Sequence, residues 1–267
     1  MSVKFCPIAS GSDGNCIYIG SESSHILIDA GLSGKRIKEG LEAGPGLSPE
    51  VLDGIFLTHE HSDHIQGAGI LSRKYGTPLY ATEKTWAYIN RHNLIGKVDP
   101  GKKNIIRADE TSVLGDISVR PFDIPHDAAE PVGYSVYVQD KKITVATDVG
   151  SVTDGIRESL FGSDVILLES NHDIDMLKNG SYPAMLKRRI LGDRGHLSNL
   201  SAGELLSQII CSKLKHVFLG HLSADNNLPL IAMDTVTSIL SSNHINVGKD
   251  FNLYLAQRGA VSENLEL

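Results

Sequence analysis

The sequence predicts an α+β fold of four layers, in which two mixed β-sheets pack face to face and helices cover the outside. Short β-rich segments alternate with amphipathic helical segments, this alternation occurs twice, and no linker or low-complexity tract separates the two halves. The chain has 267 residues and is 41% hydrophobic, which is enough to bury a sizeable core. We therefore predict a single domain over residues 1–267.

The first half contains strand-length apolar runs followed by helical patterns. The strands are predicted at CIYIG, SHILIDAG and GIFLTH, and an amphipathic helix is predicted at IQGAGILSRKYG, ending at Gly76. PLYAT predicts a further strand, whose Thr82 can cap a helix over EKTWAYINRHN. This order is typical of a sheet covered by helices.

The second half begins with two hairpin-like segments, SVLGDISVRPFDIPH and GYSVYVQDKKITVATD. Strands are then predicted at SDVILLES, HVFLGHL and FNLYLAQ, and helices at VTDGIRESLFG, LSAGELLSQIICSKLK and LPLIAMDTVTSILSS. These segments predict a second sheet with its own helices.

Composition excludes several classes of protein. The net charge of −7 gives no whole-molecule attraction to nucleic acid or to an anionic membrane, so a polyanionic partner requires a local basic patch. Three cysteines without a CxxC spacing argue against a disulfide framework or a zinc finger. The apolar runs are far shorter than the roughly 20 residues that cross a bilayer, and the N-terminus lacks the pattern of a secretory signal. We expect a cytoplasmic protein without a membrane partner.

Reactive residues recur where predicted strands end. His59, His126, Asp148 and His221 each follow a β-rich run. If these strands end at the same edge, the four side chains converge on one site.

The densest group is GIFLTHEHSDHIQG, in which His59, His61, Asp63 and His64 form an H-x-H-x-D-H pattern. On a turn after a strand, residues two apart can face the same side, so this segment can hold one or two metal ions. Imidazole and carboxylate ligands suit zinc, manganese or iron. The alternative is a polar loop in which Asp63 only caps a helix, but capping does not require three histidines.

THEHSDH, preceded by LIDAG with Asp29, resembles the signature of the metallo-β-lactamase fold. The later residues His126, Asp148 and His221 match the remaining motifs in order. The resemblance implies two divalent metal ions and hydrolytic chemistry. It implies one ion held by His59, His61 and His126, a second held by Asp63, His64 and His221, and Asp148 as a bridge. Asp29 would orient the ligand loop, unless it is an ordinary buried turn residue.

LLESNH, GHLSN and LGHLSADNN are similar in order and spacing to the phosphodiesterase branch that includes the tRNA 3′-processing endonucleases. The resemblance implies that His196 is catalytic and faces the substrate, and that Glu169 orients the His196 ring. Asp63 is a further candidate catalytic residue. The reverse assignment of His196 and His221 stays open. We also predict a capping box over residues 201–204, which would place His196 and Ser198 near helix N–H groups that can bind phosphate.

A basic segment lies between residues 176 and 196. It carries five basic residues against one acid, a local charge of +4, and the basic residues are Lys178, Lys187, Arg188, Arg189 and Arg194. A nucleic-acid backbone could bind along this segment without its sequence being read. The alternative is a solvated helix face. We select Lys187, Arg188 and Arg189 as candidate substrate-binding residues.

The loop ASGSDGNC can cradle an anion with its backbone N–H groups, although such residues also make ordinary turns. Together with THEHSDH, NHD, YPAMLKRRI and GHLSN, it resembles the YycJ/WalJ family along essentially the whole chain, departing at Asp13, where a small residue is more usual. The resemblance implies 5′-to-3′ exonuclease action on DNA, often with manganese, and a role in DNA repair. We select four further candidate substrate contacts: Ser12, Asn15, His172 and Ser198.

The main alternative is a thioester or lactone hydrolase of the glyoxalase II type, which uses the same ligands but usually adds a C-terminal helical region. The chain instead ends with the strand-like FNLYLAQRG. A non-catalytic nucleic-acid-binding protein is a second alternative. The sequence leaves open the native metal, DNA against RNA, the cleavage polarity and whether the chain forms oligomers.

Overall fold

The computed structural model describes residues 2–108 and 110–267. Its strands are β1 (Lys4–Ala9), β2 (Cys16–Gly20), β3 (His25–Ile28), β4 (Gly54–Phe56), β5 (Leu79–Thr82), β6 (Lys103–Ile106), β7 (Ser112–Leu114), β8 (Ile117–Asp123), β9 (Val132–Val138), β10 (Lys141–Ala146), β11 (Val165–Glu169), β12 (His216–Gly220), β13 (Asn252–Leu255) and β14 (Leu265–Glu266). Its helices are α1 (Gly34–Ala43), α2 (Ser62–Ile65), α3 (Ala68–Tyr75), α4 (Glu83–His92), α5 (Asp154–Leu160), α6 (Ile174–Asn179), α7 (Ala184–Ile190), α8 (Asn199–Ile209) and α9 (Pro229–Ser242).

These strands form two mixed sheets. The first has the order β14-β1-β2-β3-β4-β5-β6, antiparallel from β14 to β3 and parallel from β3 to β6. The second has the order β13-β12-β11-β10-β9-β8-β7, parallel from β13 to β10 and antiparallel from β10 to β7. Each sheet therefore joins an antiparallel part to a parallel part with crossover helices.

The buried apolar residues form three layers of core. The middle layer contains residues of both sheets, and in it the rings of Phe5 and Phe218 lie 5.1 Å apart. One outer layer packs α1, α3 and α4 against the first sheet, and the other packs α5, α8 and α9 against the second. The predicted four-layer architecture is confirmed.

The helix predicted over IQGAGILSRKYG, residues 65–76, starts later than expected, because Ile65 ends α2 and α3 begins at Ala68. Gly67 separates them: its N–H donates to Ala30 O at 2.8 Å, and a Cβ there would lie 2.3 Å from Leu32 O. The predicted end is correct, because Gly76 caps α3 in the left-handed region with φ 72°. The hydrogen bond of Gly67 thus connects the segment after the H-x-H-x-D-H motif to the chain that follows β3.

The predicted capping box is wrong by three residues. Helix α8 begins at Asn199, and Ser198 is its N-cap, whose side-chain oxygen accepts a hydrogen bond from Ser201 N at 3.1 Å. Ser201 lies in the first turn and not before it. His196 still precedes the helix by a short loop.

The ends of β4, β8, β10, β11 and β12 bring the motif residues to one edge of the two packed sheets. His59 follows β4, His126 follows β8, Asp148 follows β10, Glu169 ends β11 and His221 follows β12. In the described part of the chain, every helix is too short or too polar to cross a membrane.

Candidate metal centre and substrate cleft

The ligand loop, His59–His64, is fixed by Asp29. The Oδ1 atom of Asp29 accepts from Thr58 N at 2.8 Å, and its Oδ2 atom accepts from His64 Nδ1 at 2.6 Å. Gly31 completes the support, because a Cβ at this position would lie 1.6 Å from Asp63 O. The backbone of β3 and the ligand loop therefore approach as closely as only glycine permits.

Three imidazole nitrogens face one another in a first cluster. His61 Nδ1 lies 2.9 Å from His59 Nε2 and 3.4 Å from His126 Nε2. Nitrogens that coordinate one tetrahedral zinc ion at its usual bond length are about 3.3 Å apart. The cluster has the spacing of a ligand set.

A second cluster contains one carboxylate and two imidazoles. Asp63 Oδ2 lies 3.3 Å from His64 Nε2 and 3.5 Å from His221 Nε2. The three ligand atoms lie within the span that a single ion can bridge. The structure thus brings together the residues that the motif resemblance assigns to the second ion.

Asp148 lies between the two clusters. Its Oδ2 atom is 3.1 Å from His64 Nε2, and its Oδ1 atom is 3.7 Å from His126 Nε2. Asp148 has φ 58°, and Asp29 and His221 have φ 61° and 54°, so three residues of the centre adopt the sparsely populated left-handed region. This backbone conformation directs the chain after β10 toward both clusters.

In His59 and His126, the ring nitrogen that faces away from the cluster, Nδ1, is hydrogen-bonded. His126 Nδ1 donates to Gly195 O at 3.0 Å. Thr58 Oγ1 donates to Asp29, so it accepts from His59 Nδ1 at 3.0 Å. Because Nδ1 carries the proton in each ring, Nε2 presents its lone pair to the cluster, which is the arrangement found around metal-binding histidines.

The donor set fits a metal ion. Asp148 Oδ2 and His221 Nε2 are buried, and neither makes a hydrogen bond with any described residue. Buried polar atoms are normally paired, and a metal ion between the two clusters would supply the missing partner to both of these atoms. With the fold, these clusters support binding of divalent metal, which confirms the coarse part of the cofactor prediction.

Glu169 accepts four hydrogen bonds and is fully buried. Its Oε1 atom accepts from His196 Nδ1 and from His221 Nδ1, both at 2.8 Å. Its Oε2 atom accepts from the backbone N–H groups of Val149 at 2.7 Å and Leu197 at 3.1 Å. Burial alone would raise the pKa of Glu169, but the charges and hydrogen bonds of the two histidines outweigh it and lower the pKa to about 2.

His196 lies at the floor of a cleft of about 340 Å³. Burial lowers its pKa, and the adjacent Glu169 carboxylate raises it by more, so the net pKa of His196 is raised. The side chain is 16% exposed, compared with 3% for His221. This difference favours His196 as the substrate-facing histidine and His221 as the metal ligand.

The cleft contains both predicted and unpredicted residues. Ser12 and Arg189 line it as expected from the sequence, while Asn171, Tyr182, Leu186, Ile190 and Ser223 were not predicted. The signal for part of this wall was present: Leu186, Arg189 and Ile190 have the three- and four-residue spacing of one face of α7.

Three predicted substrate contacts are buried. Asn15 is 0%, His172 2% and Ser198 6% exposed, and none of them lines the cleft. Burial lowers the pKa of His172 to about 4, so this ring is neutral at pH 7. The structure gives these three side chains little surface for a substrate, and their assignment as substrate contacts stays a prediction.

Three backbone N–H groups of the loop between β1 and β2 are used inside the protein. Asn15 Oδ1 accepts from Gly11 N at 3.0 Å, Gly14 N donates to Gly11 O at 2.9 Å, and Asn15 N donates to Asp63 O at 2.7 Å. The last of these bonds ties the loop to the ligand loop. These three N–H groups are therefore not free to bind an anion.

The basic segment is partly engaged in internal contacts. Arg189 forms a two-pronged ion pair with Asp127, and Lys187 Nζ donates to the carbonyls of Lys178 at 2.8 Å and Gly180 at 2.7 Å. Arg188 is exposed and makes no hydrogen bond or ion pair with the described residues. Of the three selected cations, Arg188 is the one fully available to a ligand.

Residues 24–221 match the family described as Beta-lactamase superfamily domain. The chain is 43% identical over 251 residues to "Exodeoxyribonuclease WalJ" of Streptococcus pneumoniae, covering 94% of this chain and 93% of the relative. It is 41% identical over 254 residues to "Exodeoxyribonuclease YycJ" of Bacillus anthracis, covering 95% of each. The chain belongs to the WalJ/YycJ family of the metallo-β-lactamase superfamily.

Solved structures place this WalJ/YycJ-family chain in the same fold as more distant proteins. YhfI from Bacillus subtilis, a metallo-β-lactamase fold protein, is 16% identical with a TM-score of 0.73, over 100% of this chain and 99% of YhfI. Zinc-bound PqqB from Methylobacterium extorquens is 17% identical with a TM-score of 0.72, over 97% and 99% of the two chains. At these identities the likeness establishes the fold alone.

Proposed function

We propose that this chain is a metal-dependent phosphodiesterase that removes nucleotides from DNA in the 5′-to-3′ direction, with a role in DNA repair. The observation that carries the proposal is the pair of His196 and Glu169 beside two metal-ligand clusters at the floor of an open cleft. Relatives named exodeoxyribonuclease that align along nearly the whole chain support DNA as the substrate.

The proposed centre holds two divalent ions, of zinc, manganese or iron. The first would be held by His59, His61 and His126, the second by Asp63, His64 and His221, and Asp148 would contact both. Paired ions in such a centre supply charge that stabilises an in-line displacement at phosphorus and lower the pKa of water. Asp63 lines the cleft and is 23% exposed, so this proposed ligand could also contact the entering nucleophile.

His196 is the proposed proton donor. Its Nδ1 atom is held by Glu169, which leaves Nε2 for the substrate. The raised pKa of His196 favours the protonated ring, whose Nε2–H can bind a phosphate oxygen and pass its proton to the leaving oxygen. Glu169 acts as a positioning residue, since it is fully buried and touches only protein groups.

Positive side chains on α7 would position the DNA backbone. Arg189 lines the cleft and is aimed by Asp127, and Arg188 projects from the same helix. Both can contact phosphates without reading base sequence. The relatives' names and this positive helix disfavour the thioester hydrolase alternative.

The test uses metal-reconstituted protein with single- and double-stranded DNA and RNA labelled at either end. We expect DNA to be shortened stepwise from its 5′ end. The variant His196→Ala should keep its metal content and lose roughly 10²–10⁴-fold in turnover, as expected for a lost general acid. Rapid hydrolysis of a thioester without action on DNA would refute the proposal, and loss of metal in the variant would exchange the roles of His196 and His221.

A further inference from the structure

A second pocket lies next to the cleft. It has a volume of about 300 Å³ and shares Ser12, Ser62 and Asp63 with the cleft. A group that enters it is therefore continuous with a substrate at the metal centre. Its own lining includes Glu60 and Leu94.

Glu60 in this pocket has one unused oxygen. The residue is 5% exposed, and its Oε1 atom accepts from Ala129 N at 2.8 Å. Its Oε2 atom is buried and has no hydrogen-bond partner among the described residues. An unsatisfied buried carboxylate oxygen is unfavourable by more than the usual hydrogen bond stabilises, so the site favours a ligand that brings a donor.

The other residues narrow the chemistry of that ligand. Asp13 and Asp63 also line the pocket, so its lining is acidic and disfavours a phosphate, although Asp13 is paired with Arg258 Nη2 at 2.5 Å. Ile65 and Leu94 add apolar surface, and Leu94 is 43% exposed at the rim. The pocket therefore suits a flat, uncharged group with an apolar face and an N–H donor on its edge.

We propose that the pocket binds the base of a nucleotide that borders the scissile phosphate, with Glu60 Oε2 accepting a hydrogen bond from an exocyclic amino group. This inference rests on the proposed nuclease function. Amino groups of cytosine, adenine and guanine project from the base edge. The N3–H of thymine or uracil lies between two carbonyl oxygens that the carboxylate repels, so these bases bind less well.

The first test compares two sets of single-stranded DNA that differ only in the two nucleotides at each end, which are dC in one set and dU in the other. These bases differ chiefly in the amino or carbonyl group at one ring position. Wild-type enzyme should release the first nucleotide from the dC set roughly three- to tenfold faster, the effect of about one hydrogen bond. Equal rates would overturn the base pocket but not the nuclease. Absence of cleavage in both sets would instead count against the proposed function.

The second test changes the acceptor into a donor. In Glu60→Gln the side-chain oxygen can keep the bond from Ala129 N while the amide NH₂ replaces Oε2, so the preference for dC should disappear or reverse at unchanged metal content. Asp13→Asn is the matched control, because this carboxylate is already paired, and it should retain the preference. A dC preference that survives Glu60→Gln would overturn the proposal.

A third variant keeps the test decisive if Glu60→Gln disturbs the adjacent ligands. Leu94→Arg changes an exposed rim residue and narrows the pocket from the side away from the ligand loop backbone, and its metal content is measured as a control. It should bring the dC to dU rate ratio close to one. An unchanged ratio in this variant would show that the base binds elsewhere.

Discussion

The Nδ1 atoms of His196 and His221 donate to the same oxygen, Glu169 Oε1, at the same distance of 2.8 Å. The two rings lie 5.4 Å apart, one at the floor of the cleft and the other in the second ligand cluster. One buried carboxylate thus orients both the proposed proton donor and a proposed metal ligand. The sequence suggested only the first of these contacts.

Replacing Glu169 by glutamine should therefore impair two properties together. The amide NH₂ would face either the two histidines or the backbone N–H groups of Val149 and Leu197, all of which are donors. We expect metal affinity to fall roughly 10- to 100-fold, as for other partners behind a ligand. Turnover at saturating metal should fall as well. Chelator competition and steady-state kinetics measure the two effects, with the exposed Glu158→Gln as control.

Asp29→Asn should weaken metal binding without touching the substrate. The substitution removes the charge that faces His64 Nδ1 at 2.6 Å and allows the ring to change its tautomer. We expect a 10- to 100-fold loss of metal affinity while KM for DNA, measured at saturating metal, stays near the wild-type value. A variant with wild-type affinity would reduce Asp29 to an ordinary turn residue.

Asp148→Ala should lower the metal content to one ion or none and abolish activity. The side chain approaches both clusters, and its Oδ2 atom makes no hydrogen bond with the described residues. Elemental analysis of the purified variant measures the stoichiometry. Two ions still bound after purification would contradict the bridging role.

Arg188→Glu should affect DNA but not a small substrate. Since Arg188 is exposed and makes no hydrogen bond or ion pair with the described residues, we expect its replacement to leave the fold and the ligands in place. We expect a higher KM for DNA and a weaker dependence of KM on salt, with hydrolysis of bis(p-nitrophenyl) phosphate unchanged.

Lys187→Glu provides a contrast, because Lys187 caps the carbonyls of Lys178 and Gly180. Lys187→Glu should therefore lower the melting temperature of the protein, which Arg188→Glu should not.

The Arg188→Glu variant also has an outcome that would refute the proposed contact with the DNA backbone. An equal loss of activity on DNA and on the small substrate would show that the change reaches the metal centre.

The clusters of candidate metal ligands were predictable because most of their signal is local. The H-x-H-x-D-H pattern places His59, His61 and His64 within one turn after a strand, and strand ends bring in the more distant ligands. The roles of Asn15 and Ser198 were not predictable. Whether such a side chain faces a substrate or caps a backbone depends on contacts with residues far along the chain, such as Asp63 O.

At Asp29, Asp148 and His221 the left-handed backbone that builds the candidate metal centre also lowers the stability of the fold. Such conformations cost roughly 1 kcal/mol or more for a residue with a side chain and are relieved by glycine. A laboratory selection for heat resistance that ignores activity would therefore favour glycine there and discard the centre. Consensus or stabilising redesign of this protein should hold these three positions fixed, even where a glycine improves its melting temperature.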